Sequence, residues 1–270
     1  MGTGIAYVFA AAGCEVTLVE PQEKQAAAAR ETIESRATGA AQRDRLDRAA
    51  ADAVPGLLRT AADVGELDTG LDLIVESVPE RLDLKRRVLA AAERREPVLL
   101  ASNTSGLPIT ALGESLAHPD RFLGLHFFNP VWSMPLIEIV HTAVTADEQV
   151  DRARAAAALV GKETILVRDA PGFATSRLGV AIGLEAIRML EDGVAAAADI
   201  DKAMELGYRH PMGPLRLTDL VGLDVRLDIA RNLTGAFGER FAPPRLLVDK
   251  VAAGELGRKS GRGFYDWGDA

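Results

Sequence analysis

The residues with the most pointed chemistry in this chain are His126, closing the apolar run Leu125-His126-Phe127-Phe128, and Glu138, the one carboxylate inside the apolar run Leu136-Ile137-Glu138-Ile139-Val140. A turn at Asn129-Pro130 would fold the second run back on the first, setting an imidazole against a carboxylate as a proton-transferring base and the group that orients it. Strand alternation puts Glu138 on one face with Leu136 and Val140, where an unpaired charge is costly, so it needs a partner, and His126 is the obvious one. The same pair also reads as a buried structural histidine satisfied by an acid. A metal site on His126, Glu138 and His141 competes with both, but His141 would point to the opposite face and no further ligands cluster nearby, so no metal is expected.

Other polar clusters follow apolar, strand-like runs. Glu76-Ser-Val-Pro-Glu80 follows LDLIVE, Ser102-Asn-Thr-Ser105 follows VLLA, and Glu20 ends EVTLVE. In open sheets with helical crossovers ligands sit beyond the carboxyl ends of the strands, so these clusters and His126 would converge on one crevice. Glu80 reads equally as an acid complementing a helix N-terminus, and Ser102 to Ser105 as a turn and helix cap.

The elements that must position these groups alternate strand and helix. Residues 1–12 read as a helix with Gly13 past its end, 15–20 as a buried strand, 21–51 as helical, 57–60 as a short strand, 71–76 as a stronger one, 81–96 as helix, 98–101 and 164–167 as buried strands. This pattern predicts an α/β fold, a Rossmann-like doubly wound parallel sheet covered on both faces. A strand ending in an acid, 18 positions after Gly2, matches the second strand of a dinucleotide-binding unit whose acid holds a ribose. The first strand and the earlier glycines of that fingerprint would lie upstream of Met1, so the expectation is a sheet missing its first strand. Gly2 and Gly4 alone read more readily as packing residues in an Ala-rich helix than as phosphate binders, and the trailing acid narrows that difference. From Asp169-Ala-Pro-Gly-Phe173 onward only helical patterns appear, which predicts domains at 1–168 and 169–270, the second all-α.

A chain of 270 residues, 48% hydrophobic, buries a core large enough for two domains. The net charge of −8, without basic clusters, argues against nucleic acid and anionic membranes as partners. Cys14 is the only cysteine, which excludes an intrachain disulfide and points to a cytoplasmic protein. No apolar run approaches about 18 residues, so neither a membrane span nor a signal peptide is expected.

The motifs MGTGIA (1–6), VESVPE (75–80), ASNTSGLPIT (101–110), RFLGLHFFNPV (121–131), PLIEIV (135–140), APGFATSR (170–177), HPMGPLRLTDLVGLD (210–224) and LGRKSGRGFYDW (256–267) together resemble the short-chain L-3-hydroxyacyl-CoA dehydrogenases, close to the 3-hydroxybutyryl-CoA type. The resemblance covers essentially the whole chain except a beginning, and implies an N-terminally truncated member. It implies His126 as base or acid at the C3 hydroxyl, Glu138 as its orienting carboxylate, and Ser105 as a hydrogen-bond partner of the reacting oxygen. Glu20 would hold the adenosine ribose, favouring NAD over NADP. Gly2, Glu80 and Lys85 match positions near the cofactor, and Ser102 and Asn103 the loop beside the nicotinamide. Ser176 stands where the family usually has an asparagine that donates near the thioester carbonyl, and a shorter, single donor there implies a weakened contact. The family further implies an acyl-CoA substrate and a homodimer through the helical domain. Two other functions stay open on these residues: a dehydrogenase of a small hydroxy acid without CoA, and an inactive dehydrogenase-like binding or structural protein.

Overall fold

The structure, a computed structural model, describes residues 1–268. The chain divides into two compact units, Met1–Asp169 and Ala170–Ala270. In the first, helix α1 (Gly2–Ala11) leads through Gly13, at φ +89°, into strand β1 (Val16–Val19). Helices α2 (Glu23–Ala41) and α3 (Arg48–Leu57) then precede β2 (Leu58–Ala61). Residues 21–51 are therefore not one helix. The chain breaks near Asp44, which takes a positive φ of 53°, and restarts where the Asp47 carboxylate accepts the Ala50 N–H at 3.1 Å.

Strand β3 (Leu73–Glu76), helix α4 (Leu82–Glu93), β4 (Leu99–Ser102), the short helix α5 (Ile109–Gly113) and β5 (Phe122–Phe127) follow. Then come β6 (Leu136–His141), α6 (Asp147–Leu159) and β7 (Glu163–Arg168). The strands form a parallel pair β1-β2 and a five-stranded sheet in the order β3-β4-β5-β6-β7. Among the described residues no strand bridges β1 to β3. The sheet is mostly parallel, and β6 runs antiparallel to β5, as a turn at Asn129-Pro130 folding the second run back on the first anticipates: so short a connection joins antiparallel neighbours, whereas parallel pairing would need a long crossover.

One face of the five-stranded sheet packs Leu123, Leu125, Phe127, Ile137 and Ile139 with Ile5 of α1 and Val150, Ala153 and Ala157 of α6 into a buried core. A second cluster, including Tyr7, Ala10, Ile33, Ala37 and Val54, ties α1, α2 and α3 together. Alternation along β5 and β6 sends Gly124, His126, Glu138 and Val140 to the opposite face. There α5 presses so close that a Cβ on Gly124 would lie 2.8 Å from Ile109 Cδ1.

The second unit is helical: α7 (Thr175–Glu191), α8 (Ala197–Lys202), α9 (Pro214–Val221), α10 (Leu223–Phe237) and α11 (Arg245–Ala252) surround a core with Val180, Leu184, Ile187, Leu223, Leu227 and Leu247. The C-terminal segment is fastened by buried Asp219, which accepts from the N–H groups of Phe264 and Tyr265 and from Trp267 Nε1. Among the described residues no helix is long and apolar enough to cross a membrane.

Candidate active site

Antiparallel pairing makes His126 and Glu138 direct register partners. Their side chains meet on one face, Nδ1 of His126 lying 2.6 Å from Oε2 of Glu138. The Glu138 side chain is wholly buried and that of His126 is 9% exposed. An ionised carboxylate only accepts, so Nδ1 carries the proton and Nε2 is the ring's acceptor nitrogen. Phe128 packs against the ring at a centroid distance of 4.5 Å. This is a fixed imidazole in a mostly dry setting, able to accept a proton at Nε2 and to have the resulting charge balanced by Glu138.

The strand-end clusters meet in one hydrogen-bonded assembly. Glu76, at the end of β3, faces Ser102, its register partner at the end of β4. Its carboxylate accepts from Ser102 Oγ at 2.6 Å, from Val78 N–H at 2.6 Å and from Lys85 Nζ at 2.8 Å. Lys85, on α4, is 1% exposed; its ammonium also donates to the Val78 carbonyl and stands 3.3 Å from Glu80 Oε2. The other Glu80 oxygen accepts from Thr104 Oγ1 and from the N–H groups of Ser105 and Gly106. Glu80 therefore holds the 104–106 turn. Asn103 donates its N–H to the Glu76 carbonyl and accepts the Phe127 N–H on Oδ1 at 2.9 Å, which ties this loop to β5 beside His126. Ser105 is exposed on the same loop.

On the β1 side, α1 begins at Gly2 with no side-chain cap and no acid in its first turn. Gly2 faces Ser77, the residue after β3, at 3.7 Å from a Cβ built on it, whereas a Cβ on Gly4 would sit 2.9 Å from Val131 Cγ2. Gly4 is a packing glycine. Glu20 follows β1, and its carboxylate accepts the Gln22 N–H at 3.0 Å. Ser176 lies in the first turn of α7, in the second unit.

The pattern across the two units decides the family: residues 1–170 match the model described as 3-hydroxyacyl-CoA dehydrogenase, NAD binding domain, and 172–267 match the 3-hydroxyacyl-CoA dehydrogenase C-terminal domain. The chain belongs to the 3-hydroxyacyl-CoA dehydrogenase family. It is 42% identical to a 3-hydroxybutyryl-CoA dehydrogenase of Mycobacterium tuberculosis, over 99% of this chain and 95% of that one. With a probable 3-hydroxybutyryl-CoA dehydrogenase of Bacillus subtilis it shares 35% identity, over 99% and 94%. Among solved structures, that of (S)-3-hydroxybutyryl-CoA dehydrogenase from Ralstonia eutropha superposes with a TM-score of 0.94 at 34% identity, covering 100% of this chain and 96% of that one. Members of this dehydrogenase family are NAD-dependent oxidoreductases, and the residues here fit NAD. An uncapped helix N-terminus offers N–H groups to phosphate, and a strand-end carboxylate stands ready for a ribose.

Sequence reading missed Glu76 as the hub of the strand-end assembly and Thr104 as a member of it. It also missed Asp169, whose carboxylate accepts from the N–H groups of Ile109 and Thr110 and so fixes the start of α5. Glu76 ends an apolar run, and that signal was available. Lys85 as a buried cation had no sequence signal, because lysine is ordinarily exposed.

Proposed function

We infer that the protein interconverts an L-3-hydroxyacyl-CoA of the 3-hydroxybutyryl-CoA type and its 3-oxoacyl-CoA, using NAD. The observation that carries this reading is the buried His126–Glu138 pair in a chain of this family. Bound NAD supplies the acceptor for the hydride that leaves C3. Nε2 of His126 takes the C3 hydroxyl proton in oxidation and returns it to the carbonyl oxygen in reduction. Glu138 keeps the imidazole in the productive tautomer and balances its charge while it is protonated.

The other residues take their parts from position and from the resemblance together. Gly2 lets the pyrophosphate approach the start of α1, and Glu20 hydrogen-bonds the adenosine ribose while repelling a 2′-phosphate. Ser102, Asn103, Glu80 and Lys85 build the loop beside the nicotinamide, and Asn103, with Oδ1 held by Phe127, keeps Nδ2 as a donor. Ser105 donates to the reacting oxygen, and Ser176 contacts the substrate near the thioester carbonyl. The protein works in the cytoplasm, consistent with its single cysteine, and as a homodimer. The helical unit supports the dimer: Leu178 on α7, Val221 on α9 and Val225 on α10 are all exposed. Sedimentation velocity tests that assembly, which predicts the mass of two chains rather than one.

NADH oxidation with acetoacetyl-CoA and with free acetoacetate tests the substrate. Turnover of the thioester alone is expected. Preference for the free acid contradicts the CoA reading, and no turnover of either contradicts the activity.

A further inference from the structure

We propose that Glu76 is a positioning residue: its carboxylate clamps the segments after β3 and β4 together and so sets the placement of the 102–107 loop for NAD. The inference rests on the NAD-dependent reading above. Glu76 is 3% exposed, and a bare carboxylate so placed would be costly. Four contacts satisfy it: Val78 N–H at 2.6 Å, Ser102 Oγ at 2.6 Å, and Lys85 Nζ at 2.8 and 3.1 Å from its two oxygens. Its main-chain carbonyl accepts the Asn103 N–H at 2.8 Å, and Asn103 in turn receives the Phe127 N–H. One residue thus holds both segments, and through Asn103 the tie reaches the residue after His126.

Lys85 serves the same clamp. Its ammonium donates to both Glu76 oxygens and to the Val78 carbonyl, and Glu80 adds an ion pair at 3.3 Å. It is therefore committed inside the protein, and its effect on NAD is transmitted through the loops it ties. Stability alone does not call for this pair, since replacing a buried ion pair by apolar side chains of similar volume is often neutral or stabilising. What an apolar pair would not supply is an acceptor for Ser102 and Val78 and a bridge to Glu80, the second carboxylate holding Ser105 and Gly106.

The test uses the full chain, with NADH as probe. Glu76→Gln keeps the shape but turns a donor toward Lys85 and Ser102. We expect faster amide exchange over residues 102–107 in the cofactor-free protein and an NADH Kd, by fluorescence titration, weakened about tenfold. The kcat with acetoacetyl-CoA should fall by a few-fold as well, because Ser105, which donates to the reacting oxygen, rides on the same loop. The double variant Glu76→Met/Lys85→Met removes the buried charges together. It should restore the unfolding midpoint to the wild-type value or above while leaving NADH binding weak, a separation that a merely structural role would not produce. Ser102→Ala should weaken NADH in the same direction. Wild-type NADH affinity and loop protection in the double variant, or in Glu76→Gln, would overturn the proposal; if Glu76→Gln does not fold, the double variant and Ser102→Ala decide it. A wild-type protein that binds NADH but does not turn over acetoacetyl-CoA defeats only the substrate reading, whereas one that fails to bind NADH defeats both.

Discussion

Nδ1 of His126 and Oε2 of Glu138 stand 2.6 Å apart because the two residues are opposed partners of an antiparallel strand pair. Strand geometry, rather than a flexible loop, sets the distance. Glu138→Gln keeps the volume but replaces a pure acceptor by an amide that can present its NH2 to the ring and reverse the tautomer. We predict a kcat lower by about 10²–10⁴-fold in acetoacetyl-CoA reduction, with the NADH Kd unchanged. Steady-state rates and a fluorescence titration check this, and a wild-type kcat would contradict it.

Ser176 opens α7 with one short hydroxyl. Ser176→Asn lengthens the side chain and adds an amide donor, so kcat/KM for acetoacetyl-CoA should rise by a few-fold, on the order of one added hydrogen bond. An unchanged or lower value contradicts the role given to this position.

Gly124 on β5 has no room for a side chain: its Cβ would come 2.8 Å from Ile109 Cδ1 and 3.0 Å from Val140 Cβ. Gly124→Ala must therefore push α5 away from the strand that carries His126. A loss of about 1–3 kcal/mol in stability is expected, measured by denaturant unfolding. Stability equal to wild type would show that α5 yields freely.

Arg226 on α10 is 4% exposed and has no ion-pair partner among the described residues. Burial lowers its pKa to about 10. Because the folded value lies below the unfolded one, both states are protonated below about pH 10, and the whole cost of burying the charge is present at neutral pH. Only above that does the folded state shed its proton first and stability from this group recover. Arg226→Met should raise stability by about 1–3 kcal/mol near neutral pH, the advantage shrinking above about pH 10. Urea titrations across that range are the check, and a destabilised variant contradicts the account.

Legibility in the sequence followed how local the cause was. His126 and Glu138 were readable because a lone carboxylate inside an apolar strand demands a partner, and the turn at Asn129-Pro130 named which one. The strands were readable from their apolar runs, and the helical half from its 3.6 period. The break between α2 and α3 was not, since Ala and Arg continue across it and the interruption is made by backbone at Asp44 and a cap at Asp47. The burial of Lys85 and Arg226 had no sequence signal for a shared reason: a long cation on a helix is ordinarily solvent-facing, and only tertiary packing buries it. In Glu80 the sequence left two roles open, and the structure adds a third, the acceptor for the 104–106 turn.

The most direct test of the central claim is the initial rate of NADH oxidation with acetoacetyl-CoA by wild type and His126→Gln, measured alongside NADH binding. The account predicts wild-type turnover, a fall in kcat of about 10²–10⁴-fold in the variant, and unaltered NADH affinity. A His126→Gln protein that keeps the wild-type kcat would contradict it.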